Sequence, residues 1–169
     1  MVLLADPPAG RAETVDNGSY GELAGLRRFR PGVRRARGGA LHCRKHHTMA
    51  TLRRDGSPRI SGTEVDFDDG QLCLGMMAGT RRAEDLRRDP RVAIHSQGVD
   101  PSEGNPSAWS GEAKLSGRAV ELAAGAEQTS DRFRIDMADV VLTHVGTPAT
   151  HLVIERWSPD AGLVRRERH

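Results

Sequence analysis

The sequence predicts a mainly β fold, an antiparallel barrel of short strands accompanied by short helices. From residue 47 onward, strand-like runs alternate with turn signals. Asp55-Gly56 and the segment 68–70 (Asp-Asp-Gly) are typical of tight turns between antiparallel strands. Because closing such strands on themselves removes unpaired sheet edges, we expect a closed or partly open barrel of Greek-key type.

The first part of this barrel is predicted as three strands, at about 47–54, 59–67 and 71–77. A short helix should follow, because Thr80 is a good N-cap residue and Pro90 disfavours helix at the residue before it. Glycine is rare inside strands because it weakens them. Gly62 and Gly75 nevertheless lie inside two of these runs, which indicates a bulge or the close approach of a backbone or ligand.

The second part of the barrel is less regular. Gly117 interrupts a strand-like run and predicts a β-bulge there. The predicted elements are a strand at 91–96, a polar loop at 97–111, a strand at 112–122, a helical start and then a strand within 131–145, a strand at 151–157, and a turn with a basic tail to residue 169.

Charge and cysteine content exclude several functional classes. The 25 basic and 23 acidic residues give a formal charge of +2, which does not indicate a general nucleic-acid binder. The two cysteines, Cys43 and Cys73, form no CxxC motif and are typical of a reducing compartment. No run approaches the roughly 20 apolar residues that span a bilayer, and the first residues do not resemble a signal peptide. We therefore expect a cytoplasmic protein without a membrane partner.

Two domain-scale segments are predicted. Residues 1–39 are expected to be a flexible, basic arm, because residues 27–39 contain six arginines and no acid, and several Pro and Gly residues interrupt them. Residues 40–169 form the barrel domain. The arm has two interpretations, a solvated basic loop or a nucleic-acid contact. Few aromatic residues, Phe67 and Trp109 along the middle of the barrel, are available to stack on bases.

Arg81 and Arg82 are the first candidates for a binding role. They follow Thr80 at the start of the predicted helix, where free N–H groups and the helix dipole favour an anion rather than a cation. A phosphate between the two guanidinium groups would relieve that conflict, because arginine matches phosphate oxygens with a planar fork. The alternative is a solvated, arginine-rich helix face.

Other patterns give no catalytic or metal site. His42, Cys43, His46 and His47 have no second ligand cluster at zinc-site spacing, and His46 and His47 should face opposite sides of a strand. No nucleophile elbow, zinc-protease helix motif or Walker loop is present. The prediction is therefore no resident metal and no catalytic side chain.

A longer pattern adds to these interpretations. The stretch "MATLRRDGSPRISGTEVDFDDGQLCLGMMAGTRRAEDLRRDPRVAIHS" resembles the core of the pyridoxamine 5'-phosphate oxidase-like flavin-binding split-barrel family. The shared features are A-T-L-x-x-D-G-x-P, then two strands, a Thr-Arg-Arg segment and D-L-x-x-D-P-R-V. The similarity continues through "AKLSGRAVEL" and "HLVIERWSPDAGLVRRER" and covers about residues 40–168.

The resemblance implies that the Thr-Arg-Arg segment holds a flavin phosphate and that the second strand lies along the cofactor. It also implies a homodimer in which a Trp and a position near Glu112 reach the cofactor of the other subunit. Glu112 stands where the family has Gln, which is a departure from its pattern. The implied cofactor-binding residues are Arg59, Ile60, Ser61, Gly62, Thr63, Gly75, Met76, Thr80, Arg81, Arg82 and Trp157.

The implied function is an oxidoreductase that transfers hydride between FMN or the deazaflavin F420 and a small organic substrate. The segment "ELAAGAEQTSDRF" lacks the Arg, Tyr and Ser positions with which the family's oxidases hold the substrate phosphate, so pyridoxamine phosphate is not the expected substrate. The glutamate tail of F420 could be attracted by basic residues at 27–37 and 165–168. The alternative is a non-catalytic flavin or haem carrier on the same barrel.

Overall fold

A computed structural model of the chain describes residues 41, 46–68, 71–123 and 129–169. The predicted arm at 1–39, together with His42, Cys43 and the Asp69-Gly70 turn, lies outside the described residues. The described elements are β1 His46–Leu52, β2 Pro58–Asp68, β3 Gln71–Met77, α1 Arg81–Arg88, β4 Arg91–His95, a 3-10 turn Pro106–Ala108, β5 Glu112–Glu121, β6 Ser130–Val145, β7 Leu152–Ser158 and β8 Gly162–Arg168.

The strands form one antiparallel sheet in the order β3-β2-β1-β4-β5-β6-β7-β8. An additional pairing between β3 and β6 closes the first six strands into a barrel. The long strand β6 makes this possible, because its first residues pair with β3 and its last residues, from Val140, pair with β7. The predicted antiparallel barrel with little helix is confirmed.

The core is built from side chains that alternate along the strands. In β1, His47, Met49 and Thr51 are buried, whereas His46 and Thr48 are exposed, as a period of two requires. His46 and His47 therefore face opposite sides of the strand, as the sequence predicts. Helix α1 contributes to the same core through two buried apolar residues. The apolar cluster consists of Met49, Leu72, Leu74, Met76, Ala83, Leu86, Val92, Ile94, Leu115, Ala119, Phe133, Ile135, Met137, Val140 and Trp157.

The predicted bulge at Gly117 is confirmed. The pairing of β5 with β6 shifts register between Ser116 and Gly117. A β-carbon at Gly117 would lie 2.2 Å from the backbone oxygen of Asp136, so a larger residue would displace backbone at this position.

Two predictions from the C-terminal half are wrong. The segment 131–145 does not start with the predicted helix. Its first residues are already strand, because Phe133, Ile135 and Met137 are buried on one face at strand spacing. The basic residues near the end are not a tail after a turn but form β8, which pairs with β7. The turn before β8 is made possible by Gly162, whose φ of +64° is in the region that favours glycine.

The described helices are too short and too polar to cross a lipid bilayer. Helix α1 has only eight residues, and six of them are arginine, aspartate or glutamate.

Candidate functional site

The second strand, β2, presents its predicted cofactor residues on two opposite faces. Thr63 is buried and Arg59 is half-buried on the side of the barrel interior, as is Ser61. Ile60 and Gly62 face outward, and the Ile60 residue is 76% exposed. A cofactor lying along the outside of the barrel would therefore meet Ile60 and Gly62 directly.

Helix α1 is connected to β2 by one arginine. The Arg82 Nη1 atom donates a hydrogen bond of 2.7 Å to the backbone oxygen of Gly62. The Arg82 Nε atom is buried and has no hydrogen-bond partner among the described residues. Since buried polar groups in native proteins almost always have a partner, this N–H is available to donate a hydrogen bond to a group outside the described residues.

Thr80 supplies a second unsatisfied polar atom at the same helix start. Its backbone is extended, with φ −72° and ψ 148°, and its carbonyl accepts from Glu84 N, as expected of an N-cap residue. Its hydroxyl makes no capping hydrogen bond, and Oγ1 is buried without a partner in the described part of the chain. The Thr80 hydroxyl is therefore available to a ligand instead of to the helix.

The turn before the helix is held by the neighbouring strand β6, which pairs with β3. Gly79 has a φ of +71°, which other residues rarely adopt, and its N–H donates to Asp131 Oδ2 at 3.1 Å. This turn sets the direction in which Thr80 and Arg82 leave β3. The placement of the helix start thus depends on β6 as well as on the local sequence.

Arg81 lies differently from Arg82. Its side chain is 81% exposed, and its nearest acidic partner is Glu84, with 3.4 Å between Arg81 Nη1 and Glu84 Oε2. The structure therefore brings Arg82, and not Arg81, onto β2. Arg81 faces a separate cavity on the side of the β1–β2 turn.

The three remaining predicted residues divide between surface and core. Gly75 is exposed, and no atom of the described residues lies within 4 Å of a β-carbon built there; the same is true of Gly62. Neither glycine marks a bulge or a close backbone contact in the described sheet. Met76 and Trp157 are 4% and 9% exposed and belong to the apolar core of their own chain.

Glu112 lies on the outer face of the barrel, in a small charged cluster. Lys114 Nζ is 2.6 Å from Glu112 Oε1, and His95 Nε2 is 3.4 Å from Glu112 Oε2. The hydrogen bond from Lys114 lowers the pKa of the Glu112 carboxyl below its usual range, although burial opposes the shift. Glu112 therefore carries a negative charge at neutral pH. The Gln that the resemblance implies at this position would be neutral.

An outward-facing cavity of about 360 Å³ lies beside this cluster. Ala50, Ala93 and Ser116 are cross-strand partners in successive strands and form a floor of small residues, with Ile60 at one end. Sequence reasoning missed this floor, because it depends on the register of four strands. A flat ring could pack on such a surface without displacing side chains.

Sequence reasoning also missed a buried carboxylate. Asp85 is 3% exposed and accepts hydrogen bonds from Thr51 Oγ1 at 3.0 Å, Arg59 Nε at 2.6 Å and Arg88 Nη2 at 2.9 Å. Burial alone would raise the pKa of Asp85, but the hydrogen bonds from Arg59, Arg88 and Thr51 together lower it. The sequence signal was an acid among the inward-facing positions of a short helix, beside Leu86.

Several solved structures have a similar fold. PhzG from Burkholderia lata 383, solved in complex with tetrahydrophenazine-1-carboxylic acid, matches with a TM-score of 0.58 and 11% identity over 90% of this chain and 94% of that one. A pyridoxamine 5'-phosphate oxidase-related, FMN-binding protein from Nostoc punctiforme PCC 73102 matches with a TM-score of 0.57 and 9% identity over 84% and 95%. The chain has the split-barrel fold of these proteins.

A third solved structure, that of the protein Atu2129 of unknown function from Agrobacterium tumefaciens str. C58, is 19% identical, with a TM-score of 0.51 over 68% of this chain and 56% of that one. No protein-family model matches the sequence, and no curated protein matches it. The likeness therefore lies in the split-barrel fold, and the roles of individual residues must be argued from their own geometry.

Proposed function

We propose that this split barrel is an oxidoreductase that transfers hydride between FMN or the deazaflavin F420 and a small organic substrate other than pyridoxamine phosphate. The observation that carries the proposal is the bridge from Arg82 to Gly62, beside two buried polar atoms that lack partners in the described chain. The bound flavin or deazaflavin would supply the ring that accepts or donates the hydride.

The phosphate site is the start of helix α1. At this helix start, Arg82 Nε and the Thr80 hydroxyl are buried without a partner among the described residues, and both can donate to a phosphate oxygen. The first-turn backbone N–H groups of an α-helix point the same way and lack intrahelical partners. Arg81, exposed beside them, would add positive charge without a fixed contact. The donor set fits a dianionic phosphate.

The ring site is the outer face of β2 and its neighbours. Gly62 has no β-carbon, and the space over it is open, so a ring or sugar chain can approach the backbone closely. Ile60 and the floor of Ala50 and Ala93 provide an apolar surface for a flat ring. These residues would orient the cofactor and exclude water from one of its faces. No side chain is assigned as a general acid, because solvent can supply the proton.

We further propose that the working form is a homodimer with the cofactor at the subunit interface. A second copy over the outer face would cover Ile60, which is 76% exposed in the single chain. Glu112 lies on this face and could contact a cofactor across the interface. The resemblance also implies that Trp157 reaches the cofactor of the other subunit. For that, its side chain would first have to leave the core of its own barrel.

An absorption spectrum of the purified protein tests the proposal, followed by titration of the apoprotein with FMN and with F420. We expect one of the two to bind, and the reduced complex to be reoxidised by quinones or enones. Binding without turnover would support a carrier instead of an enzyme, and a haem spectrum would support the haem-binding alternative. Failure of both FMN and F420 to bind would contradict the proposal.

A further inference from the structure

A cavity of about 600 Å³ lies between the β1–β2 turn and helix α1. We call it the arginine cavity, because five of its lining residues are Arg53, Arg54, Arg59, Arg81 and Arg88. The other three are the acids Asp55, Glu84 and Asp85, which leaves a formal charge of +2 from five cations and three anions. Like charges gathered in one concave site attract multiply charged anions from solution.

Two of the three acids of the cavity, Asp55 and Asp85, already accept hydrogen bonds from other residues. Asp85 is held by Arg59 and Arg88, so these three residues form the fixed wall next to the core. Asp55 turns toward its own β-turn and accepts from Ser57 N at 3.0 Å and from Ser57 Oγ at 2.7 Å. Within the described chain, neither carboxylate forms a hydrogen bond or an ion pair with Arg53 or Arg54, although Asp55 and Arg53 attract each other electrostatically.

The turn arginines are therefore available to a ligand. Within the described chain, the side chains of Arg53 and Arg54 make no hydrogen bond and no ion pair, and both residues are exposed. Arg81, on the opposite wall, has only the 3.4 Å contact with Glu84. Three guanidinium groups from two different elements thus face one cavity. Guanidinium forks of this kind match the oxygens of phosphates and carboxylates.

The arginine cavity adjoins the proposed flavin phosphate site and shares Arg81 with it. Arg82, which reaches Gly62, does not line the cavity, and Arg53, Arg54 and Arg88 belong to the cavity alone. The two sites are neighbours, because Arg81 and Arg82 are consecutive. A ligand whose phosphate is held at Thr80 and Arg82 could therefore extend a second anionic group into the cavity.

We propose that the arginine cavity binds a second, multiply charged oxyanion, so that the protein selects a cofactor or substrate with a cluster of phosphates or carboxylates. The adjoining phosphate site rests on the proposed function, but the cavity can be tested without any flavin. Two sources share this chemistry, an acidic tail on the cofactor and a separate anionic substrate.

The test is calorimetric titration of the full chain with inorganic tripolyphosphate. We expect the Arg53→Ala/Arg54→Ala double variant to bind it at least tenfold more weakly than the wild type. The matched control is Arg132→Ala/Arg156→Ala, which removes the same charge from strands β6 and β7, outside the cavity lining. Its affinity should be unchanged, and thermal melts should show that both variants are folded. Equal affinity of the wild type and the Arg53/Arg54 variant would overturn the proposal.

A second titration identifies the source of the anion. If the anion is the glutamate tail of F420, the Arg53/Arg54 variant should bind F420 at least tenfold more weakly while its affinity for FMN stays unchanged. If it belongs to a separate substrate, only tripolyphosphate binding should fall. If the wild type binds neither cofactor, the proposed function is contradicted. The tripolyphosphate titration would still test whether the cavity binds a multiply charged anion.

Discussion

The arginines at the two ends of helix α1 differ in how many carboxylates they contact. In the last turn, Arg87 contacts the carboxylates of Glu121 and Asp131, and Arg88 lies 2.9 Å from Asp85. In the first turn, and among the described residues, Arg82 reaches only a backbone oxygen and Arg81 has one long contact with Glu84. Eight residues thus hold one compensated and one uncompensated pair of cations.

The helix dipole makes this difference informative. Cations are stabilised near a helix C-terminus and disfavoured near an N-terminus. The last-turn arginines therefore gain from both the dipole and their carboxylates, and their role is to hold the helix on the barrel. The first-turn arginines oppose the dipole, and Arg82 lies beside a buried hydroxyl without a partner among the described side chains. We therefore propose an anionic ligand as the partner of that end.

The largest expected effect is at the compensated end. Asp85→Ala should destabilise the fold by about 3 kcal/mol, because Arg59 and Arg88 would lose their shared buried carboxylate. Denaturant unfolding measures the change. Asp89→Ala, which removes a carboxylate from the same helix end where Arg91 is largely exposed, should cost clearly less. Equal losses in the two variants would contradict a structural role specific to Asp85.

The next effect is at the uncompensated end. Arg82→Ala should weaken cofactor binding by about 1.5–3 kcal/mol, the scale of a charged hydrogen bond, or roughly 10- to 150-fold. Titration of the apoprotein with the cofactor measures it. Arg82→Lys should recover only part of the affinity, since an ammonium lacks the planar fork.

The control for Arg82 is Arg91→Ala, which removes an arginine just beyond the same helix, where it pairs with Asp89. We expect its cofactor affinity to match the wild type. An unchanged dissociation constant for Arg82→Ala, with FMN and with F420, would show that the first turn does not bind the phosphate.

A smaller effect is expected for Arg87→Ala. Its partners Glu121 and Asp131 raise the pKa of Arg87 further, but the side chain is 38% exposed, so solvent screens the pairs. We expect a stability loss of about 1 kcal/mol or less. Cofactor affinity should stay the same, because Arg87 lies at the opposite end of α1 from Thr80. Weaker cofactor binding by Arg87→Ala at unchanged stability would contradict the assignment of cofactor binding to the first turn alone.

The smallest effect is a pH dependence carried by the compensated end. Hydrogen bonds lower the pKa of Asp85 against the opposing effect of burial, and the hydrogen bond from Arg87 lowers that of Asp131. A carboxyl with a lowered folded-state pKa stabilises the fold above its unfolded value, about 3.9 for Asp, and loses this contribution as the pH falls through the folded pKa.

Stability should therefore be constant near neutral pH and fall below about pH 4, the range in which an unfolded Asp becomes protonated. Denaturant unfolding at several pH values measures this. In Asp85→Asn the acid-induced loss should be shallower than in the wild type, since one of the two carboxyls is gone. An identical slope in both proteins would show that Asp85 does not contribute.

Much of the barrel could be predicted from the sequence because local signals and tertiary structure agree there. Tight-turn and proline signals placed β1 to β4 and α1 within a few residues, and the strand glycine at 117 revealed its bulge. The prediction failed where local pattern was ambiguous. Residues 131–145 were divided between a helical start and a strand, and β8 was predicted as a tail because its arginines mask a strand that pairing with β7 stabilises.

The candidate site was predicted only as far as residues close in sequence could show it. The Thr80–Arg82 segment is readable from the helix start, but the contact of Arg82 with Gly62 depends on folding over 20 residues. The Asp85 cluster joins three elements and has no local signature. That Thr80, Arg82 and β2 bind a flavin stays a prediction, because the fold is shared by proteins only 9% to 19% identical.

The most direct test is a crystal structure of the protein grown with its bound FMN or F420. We predict that the cofactor phosphate accepts hydrogen bonds from the Thr80 hydroxyl and from Arg82 Nε, with the ring side of the molecule toward Gly62. A cofactor bound elsewhere on the barrel, with both of those groups still lacking a partner, would contradict the account.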